Sequence, residues 1–423
     1  MSPHRRSQRP RHPPRQAIGG TQEDVRRHNL ATLLGHVHDA GPLRRADLTG
    51  LMGLNRSTIA ALVAELAALG AVREERPEGT QAGAGRPSLV VRPRTDRVQV
   101  LAADVGVGRV SVALVGLGGV VVARRSRRVD APSPDAVVRL LTGAVRSLLA
   151  DPAAGRQVVG LGVSVPGVIR QQDGNVRFAP NLAWVDVPLG DRLGERFPHL
   201  PVRVGNDADL GALAEHRRGA ARGVDDVVFV AGEEGVGCGL ILGGRPMLGA
   251  GGYAGELGHM TIRIDGRRCR CGARGCWETE IGAEAVRRAL GRSEVLTADA
   301  LGKILRRGDP DDLRSLAVVG ESLGVGLANV VNLLNPRLVI LGAMLAQLYP
   351  AVEATVREAL DRAVLRAPGE QVRLTVPQLG ADAVLLGAAE LAWQDLLADP
   401  AGVLTASGAA GGTAAPVGTP EAG

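Results

Sequence analysis

Aromatic residues are nearly absent from this chain: three Phe, two Tyr and three Trp stand among 423 residues. Any core is therefore assembled from Leu, Val and Ala. Lysine is scarcer still. Lys303 is the single lysine beside a combined Lys and Arg count of 50, so arginine carries the positive charge and few sites can offer an ammonium. Long apolar runs are missing as well: no stretch approaches the ~20 residues of a membrane-spanning helix. The basic N-terminus is not followed by the apolar core of a signal peptide. Only 4 cysteines occur. With disulfides so poorly supplied and no membrane segment expected, the expected compartment is a reducing cytoplasm.

What is present points elsewhere. The length allows two or three domains, and 58 glycines suit many turns and close backbone approaches. The formal charge of +6 leans toward a polyanionic partner without defining one. Residues 1–20 are rich in Arg and Pro and lack apolar periodicity, which predicts a disordered basic arm. Residues 399–423 are rich in Gly, Ala, Pro and Thr and predict a disordered tail.

Residues 21–95 are expected to form one domain. Leu30, Leu33, Leu34 and Val37 mark an amphipathic helix that Gly41-Pro42 ends. A short helix over 45–51 stops at Gly53. Asn55 then caps a third helix with Ile59, Leu62, Val63 and Leu66 on its apolar face. Two helices joined by a tight glycine-containing turn are the helix-turn-helix pattern. Strands at 72–75 and 89–92, around a Gly-rich loop ending in Arg86-Pro87, would make a wing. Arg45, Asn55, Arg56, Ser57 and Thr58 are residue types that reach phosphates and base edges, and Arg86 suits a narrow minor groove. A helical oligomerisation module is the plain alternative, but it does not call for this polar start to the third helix. From 96 to 398, short apolar strands alternate with helices, which predicts an α/β domain with mixed sheets.

One segment of that domain concentrates metal-ligating chemistry. His259, Cys269, Cys271 and Cys276 lie within residues 256–278, three of the four cysteines of the chain. Thiolate and imidazole are the ligands zinc prefers, and four of them close a tetrahedral structural site with no open position. Cys269 and Cys271 are one residue apart, which argues against a Cys-x-x-Cys redox motif. Cys238, in a glycine-rich loop, is expected to be a packing residue.

Several of these motifs together resemble the ROK family of repressors, open reading frames and sugar kinases, in its repressor branch. They include Gly85-Arg86-Pro87-Ser88, Val165-Pro166-Gly167, Asn206-Asp207-Ala208, Gly255-Glu256-Leu257-Gly258-His259, the cysteine cluster and Asn335-Pro336. The resemblance implies an actin-like, two-lobed sugar-kinase fold behind a winged helix-turn-helix. It also implies one structural zinc per chain on His259, Cys269, Cys271 and Cys276. The residues matching Asn206, Asp207, Glu256, His259 and Glu278 bind sugar hydroxyls in the family's kinases, and Asp207 matches the general base.

The nucleotide half departs from the kinase pattern. The first phosphate loop reads Asp104-Val105-Gly106-Val107-Gly108-Arg109, and the second reads Glu233-Glu234-Gly235-Val236-Gly237. Two carboxylates replace a glycine and a hydroxyl near the phosphates, where only donors cradle a transferred phosphoryl group. Gly342-Ala343 replaces a Gly-Gly pair. The expectation is a regulator and not an enzyme: a repressor of carbohydrate genes that binds an operator as a dimer or tetramer and senses a sugar or sugar phosphate. The rival expectations are a bifunctional sugar kinase, and a regulator governed by a protein partner over a vestigial sugar site. The cysteine segment, which abuts the sugar residues, is the expected route of coupling.

Overall fold

A computed structural model describes residues 21–76, 88–129, 132–150 and 156–410. The basic arm and Arg86 lie outside the described residues, as does most of the wing loop. The N-terminal domain runs α1 (Gln22–Ala40), β1 (Leu43–Arg44), α2 (Arg45–Met52), α3 (Arg56–Ala68), β2 (Val72–Glu75) and β3 (Val90–Pro93), with the strands ordered β1-β3-β2. Local chemistry sets the ends of these helices. Thr21 and Asp24 cap α1 reciprocally, Gly53 closes α2 in a left-handed conformation, and Asn55 Oδ1 accepts from Thr58 N–H at 2.8 Å to start α3. Leu30, Leu33, Leu34, Ile59, Leu62 and Leu66 bury the inner faces.

The first lobe of the larger domain holds β4 (Val98–Val105), β5 (Arg109–Gly116), β6 (Val120–Arg128), α4 (Pro134–Leu149), β7 (Gln157–Val165), β8 (Val168–Arg170), β9 (Asn175–Ala179), β10 (Trp184–Val187), α5 (Leu189–Arg196) and β11 (Val202–Asn206). Its main sheet is ordered β11-β7-β4-β5-β6, and β8 to β10 form a small antiparallel sheet beside it. Then α6 (Asp207–Arg218) crosses to the second lobe.

That lobe is built on β12 (Val227–Gly232), β13 (Val236–Leu242) and β14 (Arg245–Pro246). It continues through α7 (Glu278–Ile281), α8 (Ala283–Ala289), α9 (Ala298–Arg307), α10 (Pro310–Leu334), β15 (Leu338–Ala343), α11 (Met344–Ala363), α12 (Arg366–Gly369) and β16 (Arg373–Thr375). The sheet order is β14-β13-β12-β15-β16. The chain returns to the first lobe through α13 (Ala383–Ala398) and α14 (Pro400–Ala410).

Three sequence expectations change. Residues 400–410 are helical instead of part of a disordered tail: Pro400 suits a first helical turn and Leu404 is buried against the core. Cys238 sits on β13, not in a loop. α10 is long and apolar enough to cross a bilayer, although no unbroken apolar run signals it. Here it is a core helix, with Leu316, Leu323, Leu327 and Val331 buried and its closest packing against α11.

Both domains meet on α13. Gly160 and Gly162 of β7 let its backbone approach, since a Cβ on Gly162 would lie 1.9 Å from Ala388 O. Its solvent-side neighbours are α1 and α6. There Glu390, 2% exposed, faces His38 Nε2 at 3.1 Å and Arg218 Nε at 2.6 Å, with Arg217 3.7 Å away. His38 Nδ1 accepts from Gly118 N–H at 3.2 Å, while its Nε2 faces both Glu390 and the Arg218 guanidinium. The ring stands edge-on to Trp393, with centroids 5.5 Å apart. Burial alone would raise the Glu390 pKa, but His38, Arg218 and Arg217 overcome it and hold the carboxyl at about 2. Glu390→Gln keeps the shape and leaves Arg218 buried without its counter-charge. It is expected to lower stability by about 3 kcal/mol, measured as a shift of the urea midpoint.

Candidate functional site

The cleft between the lobes opens where β11 ends and α6 begins. Asn206 is the N-cap of α6: its Oδ1 accepts from Ala208 N–H at 2.8 Å and Asp209 N–H at 3.1 Å, while its Nδ2 donates to Gly167 O at 2.9 Å. That pins the helix start to the turn after β7. A small pocket here is lined by Asn206, Asp209, Glu256, Cys238 and the glycines 167, 237, 252 and 255. Gly255 has φ +92°, and a Cβ there would meet Cys238 O at 2.4 Å. Only glycine lets this turn lie flat against β13.

Of the five sugar residues expected from the sequence, Asn206 and Glu256 line the pocket itself. The other three adjoin it. Asp207 Oδ1 accepts from its neighbour Ala208 N–H at 2.9 Å and lies against Gly237. His259 Nε2 is 3.9 Å from Glu256, and His259 Nδ1 is 3.7 Å from Glu278. Asp209 is a pocket residue the sequence did not reveal. An acidic residue in the first turn of a helix is ordinary dipole chemistry, and its position three residues after the N-cap was the only signal.

The cleft is strongly acidic. Burial raises the Asp207 pKa to about 7, with Glu233 and Asp104 adding to it against the lowering hydrogen bond from Ala208 N–H. Burial also raises Asp209 to about 7, helped by Asp207 and Glu256. Asp104, Glu233 and Glu256 are raised too, first by burial. Glu233 thus shares this group of carboxylates with Asp104, tempered by Arg109.

Below this pocket lies the cysteine knuckle. The Cys271 and Cys276 sulfurs are 3.7 Å apart, Cys269 Sγ is 3.6 Å from His259 Nδ1, and all four ligand atoms fall within 4.8 Å of one another. A tetrahedral ion bonded at about 2.3 Å to sulfur and about 2.1 Å to nitrogen requires edges of about 3.8 and 3.6 Å. The group therefore fits a metal. Gly275, at φ +72°, makes the turn possible: a Cβ there would lie 1.6 Å from Arg263 O. Glu278 joins the knuckle to the cleft, accepting from Cys269 Sγ at 2.7 Å and from Val236 N–H at 3.4 Å.

Elsewhere the expected site residues divide. Arg56 and Ser57 are exposed at the start of α3 and Thr58 is half-buried, whereas the Asn55 oxygen is occupied by the Thr58 N–H and the Ser57 hydroxyl. The Arg45 guanidinium is taken by both oxygens of Glu74, fastening α2 to β2. Ala343, at the position of the second glycine, holds φ +54° and ψ −127°, a backbone suited to glycine.

A two-lobed body with a cleft of this kind, behind a winged helix, is the actin-like sugar-kinase fold carrying an added N-terminal domain. The chain belongs to the ROK family, whose model matches residues 100–395. It is 31% identical over 368 residues to the xylose repressor of Bacillus subtilis, covering 86% of this chain and 95% of that protein. A solved ROK family transcriptional regulator, described as a homolog of the E. coli MLC protein, superposes with a TM-score of 0.74 at 26% identity and covers 90% of this chain and 98% of its own. A ROK glucokinase from Streptomyces griseus, solved with glucose and AMPPNP, gives a TM-score of 0.62 at 28% identity and covers 70% of this chain and 99% of its own. The regulator match extends over the added domain, while the kinase match is exhausted by the larger one.

The raised carboxyls fix a sign for pH. Asp207 and Asp209 hold protons in the folded cleft up to about pH 7, whereas the unfolded chain releases them near 3.8. Stability is then fullest below pH 3.8 with respect to these groups and declines as pH rises toward 7. Asp209→Asn is expected to flatten that decline, read from urea unfolding at pH 5 and pH 8.

Proposed function

We propose that this protein is a cytoplasmic DNA-binding repressor that senses a sugar in the kinase-type cleft. The observation that carries the reading is α6. Its first turn, Asn206-Asp207, belongs to the pocket. Its last turn holds the N-terminal domain, with Arg217 on Asp39 at 3.0 Å and Arg218 donating to His38 O at 3.1 Å. One 12-residue helix therefore touches both the ligand site and the helix bearing the DNA-binding domain. A sugar that favours one arrangement of the lobes tilts α6 and shifts the DNA-competent population. α6, more directly than the cysteine segment, supplies the route.

On the DNA side, Arg56, Ser57 and Thr58 open the recognition helix, and Arg86 is the further contact expected from the sequence alone. A homodimer would set two such helices at neighbouring half-sites. In the sugar pocket, Asn206, Asp207, Glu256, His259 and Glu278 supply acceptors and the Asn206 amide donor for hydroxyls. Zinc suits His259, Cys269, Cys271 and Cys276, and when bound it supplies a fixed tetrahedral cross-link. With Nδ1 on the metal, His259 presents its Nε2–H to the pocket as a second donor.

A kinase role is disfavoured by the carboxylates at Glu233 and Glu234. Purified protein is expected to form no ADP above background with glucose or xylose.

The central test is fluorescence anisotropy of operator DNA with the full-length protein. The matching repressor makes D-xylose the first sugar to titrate. Sugar should release the DNA from the wild type, while Asp207→Ala should keep DNA binding and lose the response. A normal sugar response in Asp207→Ala would refute the pocket assignment. Arg56→Ala should weaken operator binding at least tenfold and leave sugar binding unchanged. For the metal, atomic emission should find one zinc per chain, lost in Cys271→Ser and Cys276→Ser with a fall in Tm.

A further inference from the structure

The donors that would receive an anion at the α6 end of the cleft are already engaged. The N–H groups of Ala208 and Asp209 both donate to Asn206 Oδ1. In the two loops that face them, Glu233 N–H donates to Gly235 O at 2.9 Å and Gly106 N–H to Arg109 O at 2.8 Å. A helix N-terminus that ordinarily attracts phosphate is thus closed by its own cap.

Asp209 adds a second constraint. Its carboxyl is half-buried and lines the pocket beside Asn206 and Glu256. Among the described residues no cation or hydrogen-bond donor is paired with it, and its charged neighbours are the carboxyls of Asp207 and Glu256. A half-buried carboxyl that no protein donor occupies is left to accept from a ligand in the space in front of it. Gly167, Gly237, Gly252 and Gly255 keep that space free of side chains.

We propose that Asp209 is a specificity-determining residue of the pocket, accepting hydrogen bonds from the hydroxyls of an unphosphorylated sugar and excluding its phosphate ester. Hydroxyls donate to carboxyl oxygens without bringing negative charge, whereas a phosphate ester brings charge to a group of carboxylates and finds the cap donors occupied. The assignment rests on the sugar-pocket reading and narrows the ligand class within it.

The test is calorimetric titration of the full-length, metal-bearing protein with D-xylose and D-glucose, each beside its terminal phosphate ester. For whichever sugar binds, the wild type should bind the ester at least tenfold more weakly. Asp209→Asn preserves size and an acceptor oxygen while removing the charge, and it should narrow that gap at least threefold. Asp209→Leu should weaken the parent sugar at least tenfold, with unchanged zinc content and operator binding showing that the chain is folded. An ester that binds the wild type as tightly as its parent sugar would overturn the proposal, as would an unchanged gap in Asp209→Asn. If sugars bind and both substitutions are silent, only the Asp209 assignment falls. If neither sugar nor ester binds the wild type, the sugar-pocket reading falls with it.

Discussion

The buried charge cluster of His38, Glu390 and Arg218 is the constraint on which the arrangement of this molecule depends. Each member comes from a different helix: α1 of the N-terminal domain, α13 of the first lobe and α6 from the cleft. A carboxylate this deeply buried is tolerated only with its partners in place, so the three helices hold one relative position or lose a large interaction together. The close backbone approach at Gly162 and the Trp393 ring surround the cluster with apolar packing. The cleft at one end of α6 is thereby tied to the N-terminal domain at the other by contacts that do not slide independently.

On the proposed reading, the acidic cleft belongs to a kinase-like architecture that has lost its chemistry and kept its recognition. Sugar binding needs acceptors and shape, which Asn206, Asp207, Glu256 and Glu278 would supply. Phosphoryl transfer needs free donors and charge neutralisation, and the loops at 104–109 and 233–237 offer carboxylates where those would act. The positive φ at Ala343 records the same departure, because the backbone keeps a glycine-type conformation after the glycine has gone.

The sequence was most legible where the determinants are local. The Asn55 cap, the stops at Gly41 and Gly53 and the apolar spacing of α1 and α3 located the N-terminal helices to within a few residues. The cysteine spacing located the metal cluster, because ligand type and proximity in the chain coincide there. The small β8–β9–β10 sheet was not visible, since strands of three to five residues carry too little alternation to read. Nor was the role of Glu390, which meets His38 across 352 residues of sequence, or that of Arg45, whose partner Glu74 is set by the pairing of helix and strand. Asp209 stayed hidden for a related reason: its significance comes from Glu256 in the opposite lobe.

The helix over Pro400–Ala410 carries a last consequence. Leu404 shares one apolar core with Leu30 and Leu33 of α1, with Val98 and Val100 of β4 and with Trp393. The two extremities of the described residues thus close around the same interior. The N-terminal domain is accordingly a poor candidate for transplantation: moved alone onto another protein, it would carry away part of a hydrophobic surface and a histidine with no glutamate to face. Modularity in sequence order does not extend here to modularity in three dimensions.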